Sequence, residues 1–203
     1  LTVEDDVAAL VAAAVSRASS GPVGVPRGVD VLVNNAGMTS LASPGLQTES
    51  GHVLDLDPEA WNASLRRNLD TAFLATRAFL PAMVARGWGR IVNVASVTGP
   101  VMAMRGEAAY AAAKAGMVGL TRAVALDVGP DGVTCNAVAP GWIATGSQTD
   151  DEHRQSQATP IGRSADPAEV AAAVAWLCTP GAGYLTGQCL VVDGGNSIAE
   201  QRA

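Results

Sequence analysis

Residues 91–138 read IVNVASVTGPVMAMRGEAAYAAAKAGMVGLTRAVALDVGPDGVTCNAV. Two short runs of mostly branched apolar residues, Ile91 to Ala95 and Val133 to Val138, stand on either side of a long alanine-rich pattern from Glu107 to Val128. Short apolar runs are typical of strands buried on both faces, and strands that alternate with helices are typical of parallel sheets. The stretch therefore predicts a strand–helix–strand unit of an α/β fold.

The same alternation continues on both sides of this unit. Helices are predicted over residues 2–18, 57–86 and 167–178, and strands over residues 29–34 and 188–193. The pair Asp57-Pro58 is typical of a helix start, with an N-cap followed by proline at the first helical position. Because no repeat or linker interrupts the pattern, we predict a single domain over residues 1–203.

Composition narrows the functional classes. The chain has 203 residues, 48% of them hydrophobic, and carries 13 Lys+Arg against 19 Asp+Glu, a net charge of −6. Such acidity without a basic run argues against nucleic acid or an anionic membrane as a partner. No apolar run approaches the about 18 residues needed to span a bilayer. Three dispersed cysteines and two histidines predict free thiols, a cytoplasmic location and no metal site.

The spacing Tyr110-Ala-Ala-Ala-Lys114 places a phenol and an ammonium group on one helix face. A phenol has an ordinary pKa near 10, which is high for acid–base work at neutral pH. A neighbouring cation would lower that pKa, so we expect Lys114 to activate Tyr110 for proton exchange with an alcohol or carbonyl. Taken alone, the spacing also fits a solvated helix face.

Three predicted strands end in small or polar residues. Ser96 follows the strand that begins at Ile91, Asn34-Asn35-Ala36-Gly37 ends the strand before it, and Pro140-Gly141 follows the strand after it. Open parallel sheets bind ligands at the carboxyl ends of their strands. Asn68, in addition, interrupts the apolar pattern of a long helix. Each residue singly also fits a turn, a cap or an exposed helix position, but together they predict a site.

Together these residues resemble the short-chain dehydrogenase/reductase family, and most of all its classical, 3-oxoacyl-(acyl-carrier-protein) reductase-like branch. The motifs that carry the resemblance are Asn34 to Gly37, Asn68, Ser96, Tyr110 with Lys114, Pro140-Gly141, and the closing Gly187-Gln188 and Asp193-Gly194-Gly195. The resemblance implies a Rossmann-type, doubly wound parallel sheet and an NAD(P)-dependent oxidoreductase that interconverts a carbonyl and a secondary alcohol.

The resemblance also implies roles for single residues. Tyr110 would be the general acid in reduction and the general base in oxidation, and Lys114 would lower its pKa and bind the nicotinamide ribose. Ser96 would hold the substrate oxygen, and Asn68 would hold a water in a proton relay. The residues implied in binding NAD or NADP, which the sequence does not distinguish, are Asn34, Ala36, Gly37, Tyr110, Lys114, Pro140, Gly141, Ile143 and Thr145.

Two larger features follow from the resemblance. Residues 144–163 would form a mobile lid over a small carbonyl or alcohol substrate. The chain would assemble as a tetramer or dimer through its two long helices and last strand, where Ala111, Ala115 and Gly119 offer a small apolar face.

The family pattern begins with a glycine-rich strand–helix half that this sequence lacks, so residues 1–203 would correspond to the fourth strand onward. We therefore expect a partial domain whose first strand, Val29 to Asn34, forms an apolar sheet edge. Two other functions stay open. One is a cofactor-free binding or assembly module, and the other is a Tyr/Lys acid–base enzyme that works without hydride transfer.

Overall fold

A computed structural model describes residues 9–14, 28–37 and 51–200 of the chain. In this part, four parallel strands form one sheet in the order β1-β2-β3-β4. They are β1 (Val31–Asn34), β2 (Gly89–Val94), β3 (Val133–Pro140) and β4 (Cys189–Val192). Because neighbouring strands are also consecutive in the chain, each connection is a crossover that carries helices over a sheet face. The predicted α/β fold is confirmed.

Six helices flank the sheet in the described residues. They are α1 (residues 9–14), α2 (Pro58–Leu65), α3 (Thr71–Arg86), α4 (Ala108–Val128), α5 (Asp150–Gln157) and α6 (Pro167–Leu177). The helix predicted over residues 2–18 falls mostly outside the described residues, and α1 is the part of it that lies within them. Helix α5 is not predicted by the sequence, because its residues are almost all polar.

The helix predicted over residues 57–86 is divided in the structure. Asp57 caps its start, and the Asp57 carboxylate accepts a 2.7 Å hydrogen bond from the main-chain N–H of Glu59. A five-residue π-helix, Arg66–Asp70, then separates α2 from α3. Pro81 lies inside α3 without ending it. The sequence does not reveal the π-helix, because the apolar pattern continues on both sides of it.

Helices cover both faces of the central strands. Ile91 and Cys135 pack with Phe79 and Met83 of α3 on one face, and Val92 packs with Leu177 of α6 on the other, in clusters completed by Val128, Val133 and Val138. This two-sided burial explains why β2 and β3 are nearly continuous apolar runs. The packing of the helices on these strands places the amino end of α4 beside the carboxyl end of β2.

The outer strands of the described sheet are less covered. In β1, Val31 and Val33 retain 36% and 40% of their accessible surface, and Leu190 and Val191 of β4 are similarly exposed. The expected apolar edge at β1 is therefore present in the described part of the chain. No helix among the described residues is long and apolar enough to cross a membrane.

Candidate active site

A cavity of about 710 Å³ opens at the carboxyl ends of the strands. Its wall includes residues from five parts of the chain, among them Gly37, Ser96, Tyr110, Gly141, Ile143 and Thr145. This is the edge at which open parallel sheets bind ligands. The structure therefore brings together six of the residues that the sequence predicts for the site.

Tyr110 and Ser96 meet at this wall. Tyr110 lies in the first turn of α4, and Ser96 lies two residues beyond the end of β2. Their side chains are close enough for the Ser96 hydroxyl to lower the pKa of the phenol, and the Ser96 hydroxyl accepts a 3.1 Å hydrogen bond from the main-chain N–H of Thr98. The turn after β2 thus fixes the serine hydroxyl beside the phenol.

The pKa of Tyr110 is raised from its ordinary value. Burial of the phenol is the largest cause; the Ser96 side chain lowers the pKa, and the negative charges of Glu107 and Glu152 raise it. Lys114 is not among the causes, so the expected lowering of the Tyr110 pKa by Lys114 is not seen in this arrangement. The Lys114 ammonium lies over the Tyr110 ring, 5.6 Å from its centroid.

Lys114 is buried beneath the cavity wall. Its ammonium group donates a 2.9 Å hydrogen bond to the carbonyl oxygen of Val94, at the end of β2. Burial lowers the pKa of Lys114 to about 8, because the charged form loses its hydration. The amine therefore changes its charge close to neutral pH.

Asn68 reaches the same place from the π-helix. Its side chain is fully buried, and its amide N–H donates a 3.1 Å hydrogen bond to the carbonyl oxygen of Ser64. A Cβ atom added to Gly37 would lie 2.7 Å from the Asn68 Oδ1 atom and 3.2 Å from the Lys114 Nζ atom. Asn68, Lys114 and Gly37 therefore form one compact group, and Asn68 is not an exposed helix residue.

Glycine is required at a second strand end. The main-chain N–H of Gly141 donates a 3.0 Å hydrogen bond to the carbonyl oxygen of Val192, and an added Cβ would lie 2.8 Å from the Asp193 Cβ atom. Asp193 is held in turn, because its carboxylate accepts hydrogen bonds from the main-chain N–H groups of Gly195 and Ser197. At Gly37 and Gly141 the backbone itself forms the surface, which suits close approach of a flat cofactor ring.

Four predicted cofactor residues are placed differently. Asn34, Ala36 and Pro140 are not on the cavity wall, and Lys114 lies beneath it. The Asn34 amide points into the protein, where it donates to the hydroxyl of Thr76 at 3.1 Å and to the Oδ1 atom of Asn93 at 2.8 Å. Asn34 thus supports the loop that carries Gly37 and does not line the cavity.

The segment predicted as a lid forms the outer wall of the cavity. Its base is closed by two 2.9 Å main-chain hydrogen bonds, from Ala144 to Ala165 and from Ala165 to Trp142. Between them, α5 begins with a capping box in which Thr149 and Glu152 satisfy each other's main-chain N–H groups. The Thr149-to-Glu152 spacing is the sequence signal that could have revealed this helix.

Asn93 and Thr121 support the site from below, and the sequence motifs do not reveal them. Asn93 and Thr121 lie within apolar patterns of β2 and α4, where a lone polar residue is the available signal. All three cysteines are free thiols. Within residues 9–14, 28–37 and 51–200, no three His, Cys, Asp or Glu side chains group to hold a metal ion.

Comparison with known proteins identifies the family. A family model described as enoyl-(acyl carrier protein) reductase matches residues 1–197. The chain is 42% identical over 172 residues to the 3-oxoacyl-(acyl-carrier-protein) reductase FabG of Vibrio cholerae, a match that covers 83% of this chain and 66% of that one. It is 37% identical over 204 residues to the oxidoreductase UcpA of Escherichia coli K12, covering 95% of this chain and 73% of that one.

A solved structure agrees with these relatives. A 3-oxoacyl-(acyl-carrier protein) reductase with bound NAD from Brucella melitensis superimposes with a TM-score of 0.82 at 32% identity, covering 98% of this chain and 69% of that one. The chain belongs to the short-chain dehydrogenase/reductase family, as its motifs predict. It spans between 64% and 66% of the length of four of its curated relatives.

Proposed function

We propose that the protein is an NAD(P)-dependent oxidoreductase that interconverts a carbonyl and a secondary alcohol. The observation that carries the proposal is the neighbouring pair of Tyr110 and Ser96 on the cavity wall, with Lys114 buried behind it. The relatives named as reductases and oxidoreductases support the same reaction class. We assign catalysis to Asn68, Ser96, Tyr110 and Lys114.

Tyr110 supplies the proton. Its raised pKa keeps the phenol protonated at neutral pH, which suits proton donation to the carbonyl oxygen of a substrate during reduction. Ser96 binds the same oxygen through its hydroxyl. A bound nicotinamide would supply a hydride to the carbonyl carbon, or accept it from the alcohol in the reverse reaction. In oxidation the Tyr110 phenolate takes up the alcohol proton, which reverses the proton transfer of the reduction.

Lys114 and Asn68 return the proton. The pKa of Lys114, about 8, allows the amine to gain and lose a proton near neutrality. Asn68 lies beside Lys114 at the same Gly37 surface, and we infer that it continues the proton path from Lys114. We therefore assign this pair to reprotonation of Tyr110.

Gly37, Gly141, Ile143 and Thr145 would hold the nicotinamide end of the cofactor. They share the cavity wall with Tyr110, and at both glycines a side chain would meet protein atoms closer than 3 Å. The Brucella melitensis reductase was solved with NAD, which supports a nicotinamide cofactor but does not choose between NAD and NADP.

The substrate is a small carbonyl or alcohol compound covered by residues 144–163. Residues of this segment line the outer side of the cavity, and main-chain hydrogen bonds join the two ends of the segment. This arrangement suits a lid. The acyl-carrier-protein substrates in the names of the relatives favour a 3-oxoacyl group. We place the reaction in the cytoplasm, where free cysteine thiols persist.

The protein also assembles as a homo-oligomer, a tetramer or dimer. The exposed apolar side chains that support this are Phe73, Leu126, Trp176, Leu190 and Val191, on both long helices, α6 and β4. Val191→Lys should reduce the mass measured by light scattering, because it places a charge in an apolar contact. Leu54→Lys, in the turn before α2, is the matched exposed control.

The function is tested by mixing the purified protein with NADH or NADPH and a panel of ketones and 3-oxoacyl esters. We expect nicotinamide oxidation that is lost in Tyr110→Phe. Absence of oxidation with every substrate, although the protein binds nicotinamide, would refute the redox assignment. Turnover that needs no nicotinamide but still needs Tyr110 would establish the acid–base alternative.

A further inference from the structure

A chain of buried amides and hydroxyls crosses the sheet beneath the site. We call Asn34, Thr76, Asn93 and Thr121 the amide–hydroxyl chain. Asn34 donates to Thr76 at 3.1 Å and to Asn93 at 2.8 Å, and the Asn93 amide donates to the Thr121 hydroxyl at 2.8 Å. Thr121 completes its own bonding by donating to the carbonyl oxygen of Met117 at 2.8 Å. The chain thus joins β1, α3, β2 and α4.

Thr121 lies on the helix face that carries the reacting groups. Tyr110, Lys114, Met117 and Thr121 follow at the spacing i, i+4, i+7 and i+11, which repeats on one side of an α-helix. Lys114 and Thr121 both bond to β2, at the neighbouring residues Val94 and Asn93. Helix α4 is therefore fixed to β2 by two directional contacts, one at the site and one below it.

Directional contacts matter most near Tyr110 and Lys114, because α4 packs there through small side chains. Ala109 and Ala113 of α4 are fully buried against their neighbours. Small apolar contacts tolerate sliding of a helix, whereas a hydrogen bond with a fully buried donor allows one position only. The other end of the chain, Asn34, directly precedes the loop that brings Gly37 to Lys114 and Asn68.

We propose that Thr121 is a positioning residue for the reaction: its hydroxyl, held by Asn93, fixes α4 on β2 and so places Tyr110 and Lys114 against Ser96 and Gly37. The expected effect on turnover rests on the proposed function. The expected effect on Lys114 rests on the geometry alone.

The test compares Thr121→Val, which keeps the volume but removes the hydroxyl, with Thr121→Ser, which keeps the hydroxyl. Thr134→Val is the matched control, because the Thr134 hydroxyl is also buried but has no hydrogen-bond partner in the described residues, and it lies near the far end of β3. Two quantities are measured. One is kcat with KM, and the other is the pKa of Lys114, the only lysine in the chain, by NMR of isotope-labelled lysine.

We expect Thr121→Val to lower kcat about 10- to 100-fold with little change in KM, because misplaced groups bind substrate but react slowly. The pKa of Lys114 should rise from about 8 toward ordinary lysine values as its burial is disturbed. Thr121→Ser should retain wild-type values of both quantities, and Thr134→Val should change neither.

Wild-type kcat and an unchanged Lys114 pKa in a folded Thr121→Val protein would overturn the proposal. So would an equal loss in Thr121→Ser or in Thr134→Val, since the hydroxyl would then not be the cause. If valine prevents folding, Thr121→Cys replaces it with a weaker hydrogen-bonding group of similar size. If the wild-type protein shows no nicotinamide turnover, the proposed function fails, and the Lys114 titration still decides the positioning role.

Discussion

The ammonium group of Lys114 lies 2.9 Å from the carbonyl oxygen of Val94, and no carboxylate is among the causes that set its pKa. Only 3% of the Lys114 surface is exposed. A neutral carbonyl accepts one N–H but supplies no opposite charge, so burial dominates and lowers the pKa to about 8. The charge of α4 at the site therefore depends on pH within the working range of an enzyme.

Lys114→Met should change how stability depends on pH. The folded protein releases the Lys114 proton near pH 8, whereas the unfolded chain keeps it to about pH 10.5, so the Lys114 contribution to the free energy of unfolding rises across this window. The full rise is about 3 kcal/mol. Urea denaturation at several pH values from 7 to 10.5 measures it as the difference between wild type and variant, in which other titrating groups cancel. If the free energies of unfolding of wild type and variant changed equally with pH, the lowered pKa of Lys114 would be contradicted.

Tyr110→Phe should abolish turnover and leave the fold intact. Removal of the phenol hydroxyl removes the proton donor, which should lower kcat about 100- to 10,000-fold. The readout is nicotinamide absorbance, with the thermal midpoint as the measure of folding. Tyr184→Phe is the matched control, because Tyr184 is the other of the two tyrosines in the chain and is fully exposed. Equal activity in the two variants would remove Tyr110 from the mechanism.

Glu152→Gln should shift the pH profile of alcohol oxidation to lower pH. In the proposed mechanism oxidation needs the Tyr110 phenolate, and the negative charge of Glu152 raises the pKa of Tyr110. Glutamine removes the charge but can still complete the capping box with Thr149. Asp150→Asn removes a charge from the same helix turn, at a residue that does not line the cavity, and should leave the profile in place. The profiles are measured as kcat/KM from pH 6 to 10.

Gly37→Ala should lower both stability and turnover. The added Cβ would lie 2.7 Å from the buried Asn68 Oδ1 atom, and such overpacking costs about 1–3 kcal/mol. Gly129→Ala is the control, because no described atom lies within 4 Å of the added Cβ, and alanine at such a right-handed helical position stabilises by about 0.4–1 kcal/mol. The free energy of unfolding, measured by urea denaturation, should therefore fall for Gly37→Ala and rise for the control variant. A neutral Gly37→Ala would show that the loop does not sit against Asn68.

The central fold was predictable because both sheet faces are covered. The run from Ile91 to Ala95 matches β2, and the alanine-rich pattern matches α4 to within one residue at its start. Such strands show their burial directly as continuous apolar residues. Helix α5 lacks this signal, because a helix on an outer cavity wall has no apolar stripe and depends on its capping box.

The sequence predicts that Ser96 and Tyr110 lie together at the carboxyl ends of the strands, but it does not predict the electrostatics there. The Tyr110 and Lys114 spacing predicts a shared helix face, which the structure shows, but not that the ammonium would face the ring and bond to Val94. Burial of the phenol then reverses the expected direction of its pKa. Asn93 and Thr121 are 28 residues apart in sequence, so only the folded sheet brings their amide and hydroxyl together.

The π-helix Arg66–Asp70 makes the position of Asn68 depend on the number of residues within this segment. A π-turn holds one more residue than the α-turns around it, so deleting a single residue there would let α2 and α3 join as one regular helix. The flanking helices can keep their orientation after such a deletion, because the π-turn already absorbs the extra residue locally. Asn68, which lies within the π-turn, would lose the backbone position that holds it beside Gly37 and Lys114. We therefore expect the number of residues in this segment to matter separately from their identity.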